Sequence, residues 1–170
     1  MTSAEEQTGS PLWRFSLGFY RRPGVADACL SLQDGDGADV NLLLFFLWLA
    51  TLRRCVSPET ARAVSTRAER WREDVVEPLR ALRRRLKAGS DLVDPGAAEA
   101  LRTRVKAVEL ESERLQQEAL FALARGLASE SAATVEAAAR GNVAAYEQAS
   151  GRAFDAARIA RLVAALAPAP

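Results

Sequence analysis

The sequence predicts an all-α fold: a compact single-domain helical bundle of about six or seven helices around one central apolar helix. Three observations carry that prediction. From Ala61 to Leu86, the apolar residues Val64, Ala68, Trp71, Val75, Leu79 and Leu82 follow one another three or four positions apart without a break, the period of one helix face. The run Leu42–Leu52, LLLFFLWLATL, is apolar on every side. It is too short to span a bilayer, which takes about 20 apolar residues, and has the length usual for a buried core helix. Nowhere do apolar and polar residues alternate as they do in a half-buried strand. A chain of 170 residues suits one domain with a real core, placed here at 10–167, with 1–9 and 168–170 as flexible termini.

Each element has its own start and stop. Ser10-Pro11 opens the first helix, the serine as cap and the proline at the first position, where no backbone donor is needed. Leu12, Phe15 and Phe19 share a face, and Arg21-Arg22 followed by Pro23-Gly24 ends it. A short second helix is expected over Val25–Gln33, then a turn at Asp34-Gly35-Asp36-Gly37. Asp39 caps the central helix, roughly Val40–Arg53. Ser57-Pro58-Glu59 starts the next, with an acid in its first turn.

Pro78 lies inside that helix's apolar stripe, whose phase is unchanged on either side. The expectation is a kinked helix in which the carbonyl of Asp74 loses its usual partner, since proline has no N–H to offer. After Lys87-Ala88-Gly89 and Asp94-Pro95, a long antiparallel partner over about Pro95–Leu127 carries Leu101, Val108, Leu115 and Ala122 at seven-residue spacing, with Val105 and Ala119 beside them. Ser131–Arg140 and Phe154–Leu166 read as two further helices. A break is expected at Gly141-Asn142 and another at Gly151.

Composition narrows the function. The net charge is +1, from 23 basic and 22 acidic residues, so no overall field points to nucleic acid or an anionic membrane. There is no histidine, which removes the imidazole base, the Ser-His and Cys-His dyads and most mixed metal sites. Cys29 and Cys55 lack the spacing of a zinc site and read as small apolar residues. The N-terminus has neither the basic nor the apolar segment of an export signal, and the expected location is the cytoplasm. No cofactor and no metal site are expected.

Charge is nevertheless segregated. Arg53 to Lys87 holds eleven basic residues against five acidic, and Asp91 to Glu118 seven acidic against four basic. A hairpin turning near residue 91 would set Arg72 beside Glu111, Arg70 beside Glu113 and Arg84 beside Glu99, exposed pairs worth about 0.2–1 kcal/mol each that help fix register.

Binding chemistry has four candidate locations. Gln33, Asp34, Asp39 and Asn41 form the richest polar cluster. As a calcium loop it fails, with Asp39 where glycine is required and Phe45 where the bidentate glutamate belongs, but it could be a polar mouth over an apolar interior. Arg80 and Arg84 form a helix stripe with Lys87, read chiefly as a solvated, ion-paired face. Trp13, Trp48 and Trp71 sit on apolar faces and read as core. Glu109 and Glu113, one turn apart, could share a metal but lack the Glu-x-x-His partner of bundle di-iron sites.

The words LWRFSLGFYRRPGVADACLSLQDGDGADVNLLLFFLWLA (Leu12 to Ala50), with Trp71, Val75–Arg80 and Glu109–Arg114, resemble a proteobacterial family of small uncharacterised helical proteins, over about Leu12 to Leu120. The resemblance implies a bacterial, cytosolic, helical protein and lends no residue a catalytic role. The first reading of function is therefore a non-catalytic binding or adaptor protein recognising another protein. A small-molecule or lipid-binding bundle with its mouth at 33–41 is the second. A carboxylate metal enzyme using Asp34 and Asp39 or Glu109 and Glu113 is the third.

Overall fold

The structure is a computed structural model that describes residues 9–89 and 91–167; apart from Gly9, the termini expected to be flexible lie outside the described residues. The fold is all-α. Its helices are α1 (Pro11–Tyr20), α2 (Val25–Asp36), α3 (Val40–Thr51), α4 (Pro58–Trp71), α5 (Glu77–Lys87), α6 (Pro95–Ala124), α7 (Val135–Ser150) and α8 (Ala156–Ala165). A π-helical turn, Arg72–Val76, joins α4 to α5. An antiparallel strand pair of two residues each, Arg54–Cys55 (β1) with Glu130–Ser131 (β2), is the one extended element among the described residues. The chain divides into two units: the described parts of Met1–Thr66 and Gln117–Pro170 form one, and Arg67–Gln116 forms the other.

The first unit is built around α3. Every residue from Asn41 to Ala50 is buried, as a helix apolar all round requires. It packs most extensively on α7 and also against α1 and α2. Phe46 meets Tyr146 at 5.3 Å and Trp48 meets Phe121 at 5.6 Å between ring centroids. Among the described residues, no helix is long and apolar enough to cross a membrane.

Local chemistry sets several boundaries where the sequence places them. Ser10 Oγ accepts from the Trp13 N–H with Pro11 in the first turn. Asp39 caps α3, its carboxylate accepting from Asn41 N at 2.8 Å and Leu42 N at 3.3 Å. Replacing Asp39 by alanine should cost about 0.5–2 kcal/mol, and Asp39→Asn should stay near wild type because asparagine caps about as well. Urea titration of the two variants checks this. Equal losses would mean that the charge of Asp39, and not its cap, holds the helix.

Other boundaries move. α2 runs through Asp34, Gly35 and Asp36, so the expected turn is its last helical turn. Gly37, at φ 68°, ends it in the left-handed conformation glycine tolerates. Asp36 then reaches α8: its carboxylate accepts from Asp155 N at 2.8 Å.

The expected break at Gly141-Asn142 is absent, and α7 passes straight through. A turn-forming dipeptide is kept helical here by tertiary contacts. The Gly141 backbone lies close to Cys55, whose Sγ would stand 3.6 Å from a Cβ at that position. The side chain of Asn142 is fully buried and bonded to three backbone groups of other elements.

Arg54 ties β1 to the end of α6, donating to the carbonyls of Ala124 and Leu127, both at 3.0 Å. Carbonyls at a helix C-terminus lack intrahelical donors, so this arginine supplies what the ending helix needs. Cys29 is buried and free, as its reading as a small apolar residue requires, and burial pushes its thiol up to about 12. Cys55 is half-buried and also free.

Pro78 does not open a loop. The chain stays helical, but Glu77 N–H bonds back to Arg72 O, five residues away. The wider π turn just before the proline is how the helix accommodates a residue with no N–H to donate.

Candidate functional site

The unit Arg67–Gln116 is a helical hairpin, and its inner seam is polar. Arg80, nearly buried, lies between three carboxylates. Its Nε donates to Glu109 Oε1 at 3.3 Å, Nη1 to Glu77 Oε1 at 3.1 Å and Nη2 to Glu113 Oε1 at 2.8 Å. Arg83 Nε also bonds Glu109 Oε2, and Arg83 Nη2 reaches Oε1 at 3.2 Å. Burial works against the charge on Arg80, but Glu113, Glu77 and Glu109 outweigh it and hold the guanidinium above its ordinary value. For Arg83 the hydrogen bond it donates to Glu109 acts first, in the same direction. The seam continues through Ala98, Val105 and Ser112, all buried, and Trp71 Nε1 donates across it to the Ser112 carbonyl at 3.0 Å.

That contact lies in the register expected of a turn near residue 91, yet the ion pairs are not those expected. Arg70 pairs with Asp74 at 3.4 Å and Arg72 with Glu77 at 3.2 Å. Glu111 pairs with Arg114 at 2.7 Å, and Glu113 takes Arg80. Glu99, placed beside Arg84 by the sequence reading, pairs with Arg102 at 2.7 Å. Most partners are close in sequence, because carboxylates three or four residues along a helix are met before those on a neighbouring helix. The residues that do cross the seam are Arg80 and Arg83, and Arg80 is thereby saturated with carboxylates rather than offered to an external anion; Arg84 and Lys87 lie exposed.

The apolar stripe of α6 also lies elsewhere than its spacing led one to expect. Leu101, Val108 and Leu115, expected to face the partner helix, are 42%, 54% and 44% exposed. On α5, Leu82 is exposed too, while Leu79 and Leu86, and Val75 in the π turn before them, are only half-buried. Trp71, read as core, is partly exposed, whereas Trp13 and Trp48 are buried as expected. At about 100° per residue, each stripe lies roughly a quarter turn from the buried seam of its own helix, and in the same rotational sense. On antiparallel helices that sense brings both stripes to one flank of the hairpin. That geometry puts the exposed Leu82 of α5 and the exposed Leu101, Val108 and Leu115 of α6 on one flank of the hairpin. The clue available in the sequence was a second seven-residue series, Ala98, Val105 and Ser112, whose small side chains suit the close seam better than leucines.

The polar stretch 33–41 is differently disposed. Asp39 and Asn41 are buried. Asp39 caps α3 and its N–H donates to Tyr146 Oη at 2.9 Å, while Asn41 Oδ1 accepts from Gln117 Nε2 at 2.8 Å. Gln33 is half-buried and Asp34 exposed. These four residues are thus divided: two hold elements together inside, Gln33 is half-buried and Asp34 faces solvent. A concavity of about 560 Å³ lies at the hairpin turn, lined by Leu86, Lys87, Asp91, Pro95, Ala98 and Glu99 among others. Among the described residues, no group of three or more acidic or cysteine side chains is placed to hold a metal ion, and Glu109 and Glu113 are occupied by arginines.

A family model described as a protein of unknown function (DUF2390) matches residues 11–120, a span that takes in α1 to α5, the π turn and most of α6. No curated protein matches the chain, and no solved structure does.

Proposed function

We propose, from the premise that this chain belongs to the DUF2390 family of proteins of unknown function, that it is a non-catalytic binding protein whose hairpin Arg67–Gln116 docks another protein. The observation that carries this reading is the exposed apolar flank of the hairpin, Leu82 with Leu101, Val108 and Leu115. Exposed apolar residues are ordinary when scattered, but a contiguous patch with a polar border marks an interaction surface. Helices that leave i, i+7 leucines uncovered are built to receive a partner helix. The absence of histidine from the sequence supports a role that needs no proton-transfer chemistry. The setting we propose is the bacterial cytoplasm. We place a ligand mouth at 33–41 second to this reading, since Asp39 and Asn41 are engaged inside the first unit.

The test is affinity capture from native extract, with Val108→Asp and Leu115→Asp compared with wild type and with Asp34→Ala. Both flank residues are exposed, so their variants should melt within a few degrees of wild type. The two flank variants should lose the captured protein and Asp34→Ala should keep it. Retention by both flank variants, or loss with Asp34→Ala alone, would move the binding surface away from the hairpin.

A further inference from the structure

We propose that the protein docked on this flank is a second copy of the chain, with α6 packing antiparallel on α6 of its mate about a two-fold axis beside Val108. The proposal rests on the flank being a docking surface and adds the identity of its occupant.

Charge placement favours that occupant. On a helix, a seven-residue repeat drifts by only about 20°, so Leu101, Val108 and Leu115 line one meridian with Val108 at its centre. Arg104 lies four residues before Val108 and Glu111 three residues after it. At about 100° and 1.5 Å per residue, both fall roughly 40–60° to the same side of that meridian, about 6 Å below and 4.5 Å above Val108. That side is the outer edge, away from the seam marked by Val105 and Ser112. Both side chains are exposed. Arg104 has no ion-pair partner among the described residues, and Glu111 pairs only within its own helix.

A two-fold axis lying in the contact plane and perpendicular to the helix reverses height but keeps the side. It therefore sets Arg104 of each copy within about 1.5 Å in height of Glu111 of the other, twice by symmetry, as an isologous interface requires. The same operation lays Leu101 against Leu115 of the mate and Val108 against itself. A parallel pairing keeps height but exchanges sides, so Arg104 and Glu111 of one copy would lie on the edge opposite those of the other and stay unmatched. The small residues Ala97, Ala100 and Ala107 on the outer shoulder of the stripe would let the two helices approach closely.

The area is sufficient. From Ala97 to Leu115 the stripe is about 27 Å long, and two helices side by side are about 20 Å across, which gives roughly 500 Å² per copy. The total of about 1,000 Å² lies at the lower bound for a specific pair, so a dimer of micromolar affinity is the expected form.

The experiment is sedimentation equilibrium on the full chain at about 1–100 µM, a range that brackets a micromolar Kd. Wild type should approach twice the monomer mass of 18.4 kDa. Arg104→Glu and Glu111→Arg should each weaken the dimer about tenfold. The double variant, with both charges exchanged, should recover wild-type affinity, a result that a merely disruptive substitution cannot give. Val108→Cys, in a Cys55→Ser background, should form a disulfide-linked dimer on mild oxidation. A wild-type chain that stays at 18.4 kDa throughout, or a double variant no better than the singles, overturns the proposal. A monomer that still captures another protein through Val108 overturns it too, while leaving the hairpin as the docking element.

Discussion

Replacing Asn142 by alanine is expected to lower the stability of the protein by about 3 kcal/mol or more. The side chain is fully buried and serves three backbone groups. Its Oδ1 accepts from Val56 N at 2.9 Å, and its Nδ2 donates to Phe46 O at 3.0 Å and Arg54 O at 2.8 Å. One amide thus holds the central helix α3, the strand β1 and the chain entering α4 against α7. Truncation would leave a buried donor and two buried acceptors short of a partner. An unsatisfied buried group costs about 1–3 kcal/mol, and the Phe46 carbonyl, inside a helix, stands at the low end because it retains an intrahelical donor. In a chain of this size each kcal/mol moves the melting temperature by about 2–4 °C, so a drop of roughly 6–12 °C should appear in a thermal scan. Asn142→Asp should be at least as damaging, because a second oxygen then faces two carbonyls. A fall of less than about 3 °C for alanine would mean that water or a backbone shift replaces the lost bonds.

Asn142 also shows where sequence reading stops. Gly-Asn is a turn signal by intrinsic preference, and nothing local distinguishes this Asn from one that ends a helix. What keeps α7 continuous is the set of partners presented by Phe46, Arg54 and Val56, 86 to 96 positions away. Features decided within a few residues were legible: the Ser10 cap with Pro11, the Asp39 cap and the apolar run from Leu42, buried as far as Ala50 although Leu52 at its end is exposed. The strand pair was not legible, since two residues on each side carry no alternation to detect. For the hairpin, periodicity located apolar stripes on both helices but could not say what covers them. A stripe at helical spacing records that a face is apolar; whether a neighbour in the same chain or another molecule lies on it depends on rotation about the helix axis. Here the small series Ala98, Val105 and Ser112 and the cluster at Arg80 occupy the seam, turning the leucines outward.

That cluster leads to the other large effect. Arg80→Met should cost about 3 kcal/mol, and Glu109→Leu a comparable amount. Removing one member of a buried ion pair strands the other, at about 3–5 kcal/mol in general. The lower figure applies because Glu113 and Arg83 remain partly open to solvent, their side chains 25% and 26% exposed, and can recover some hydration. The two single changes should not add. Once Arg80 is a methionine, Glu109 retains only Arg83, and replacing it by leucine removes a poorly compensated charge from an otherwise closing apolar seam. Arg80→Met with Glu109→Leu should therefore be more stable than the sum of the single losses by about 1–3 kcal/mol, the upper part of the range of about 0.5–3 kcal/mol usual for residues in direct contact. Urea denaturation of the four proteins, followed by circular dichroism, supplies the cycle. Additivity within about 0.5 kcal/mol would show that Arg80 and Glu109 act independently, with Arg80 held by Glu77 and Glu113 alone. A double variant as stable as wild type would show that the carboxylates in the seam confer register rather than stability, since apolar replacements of similar volume can match a buried ion pair.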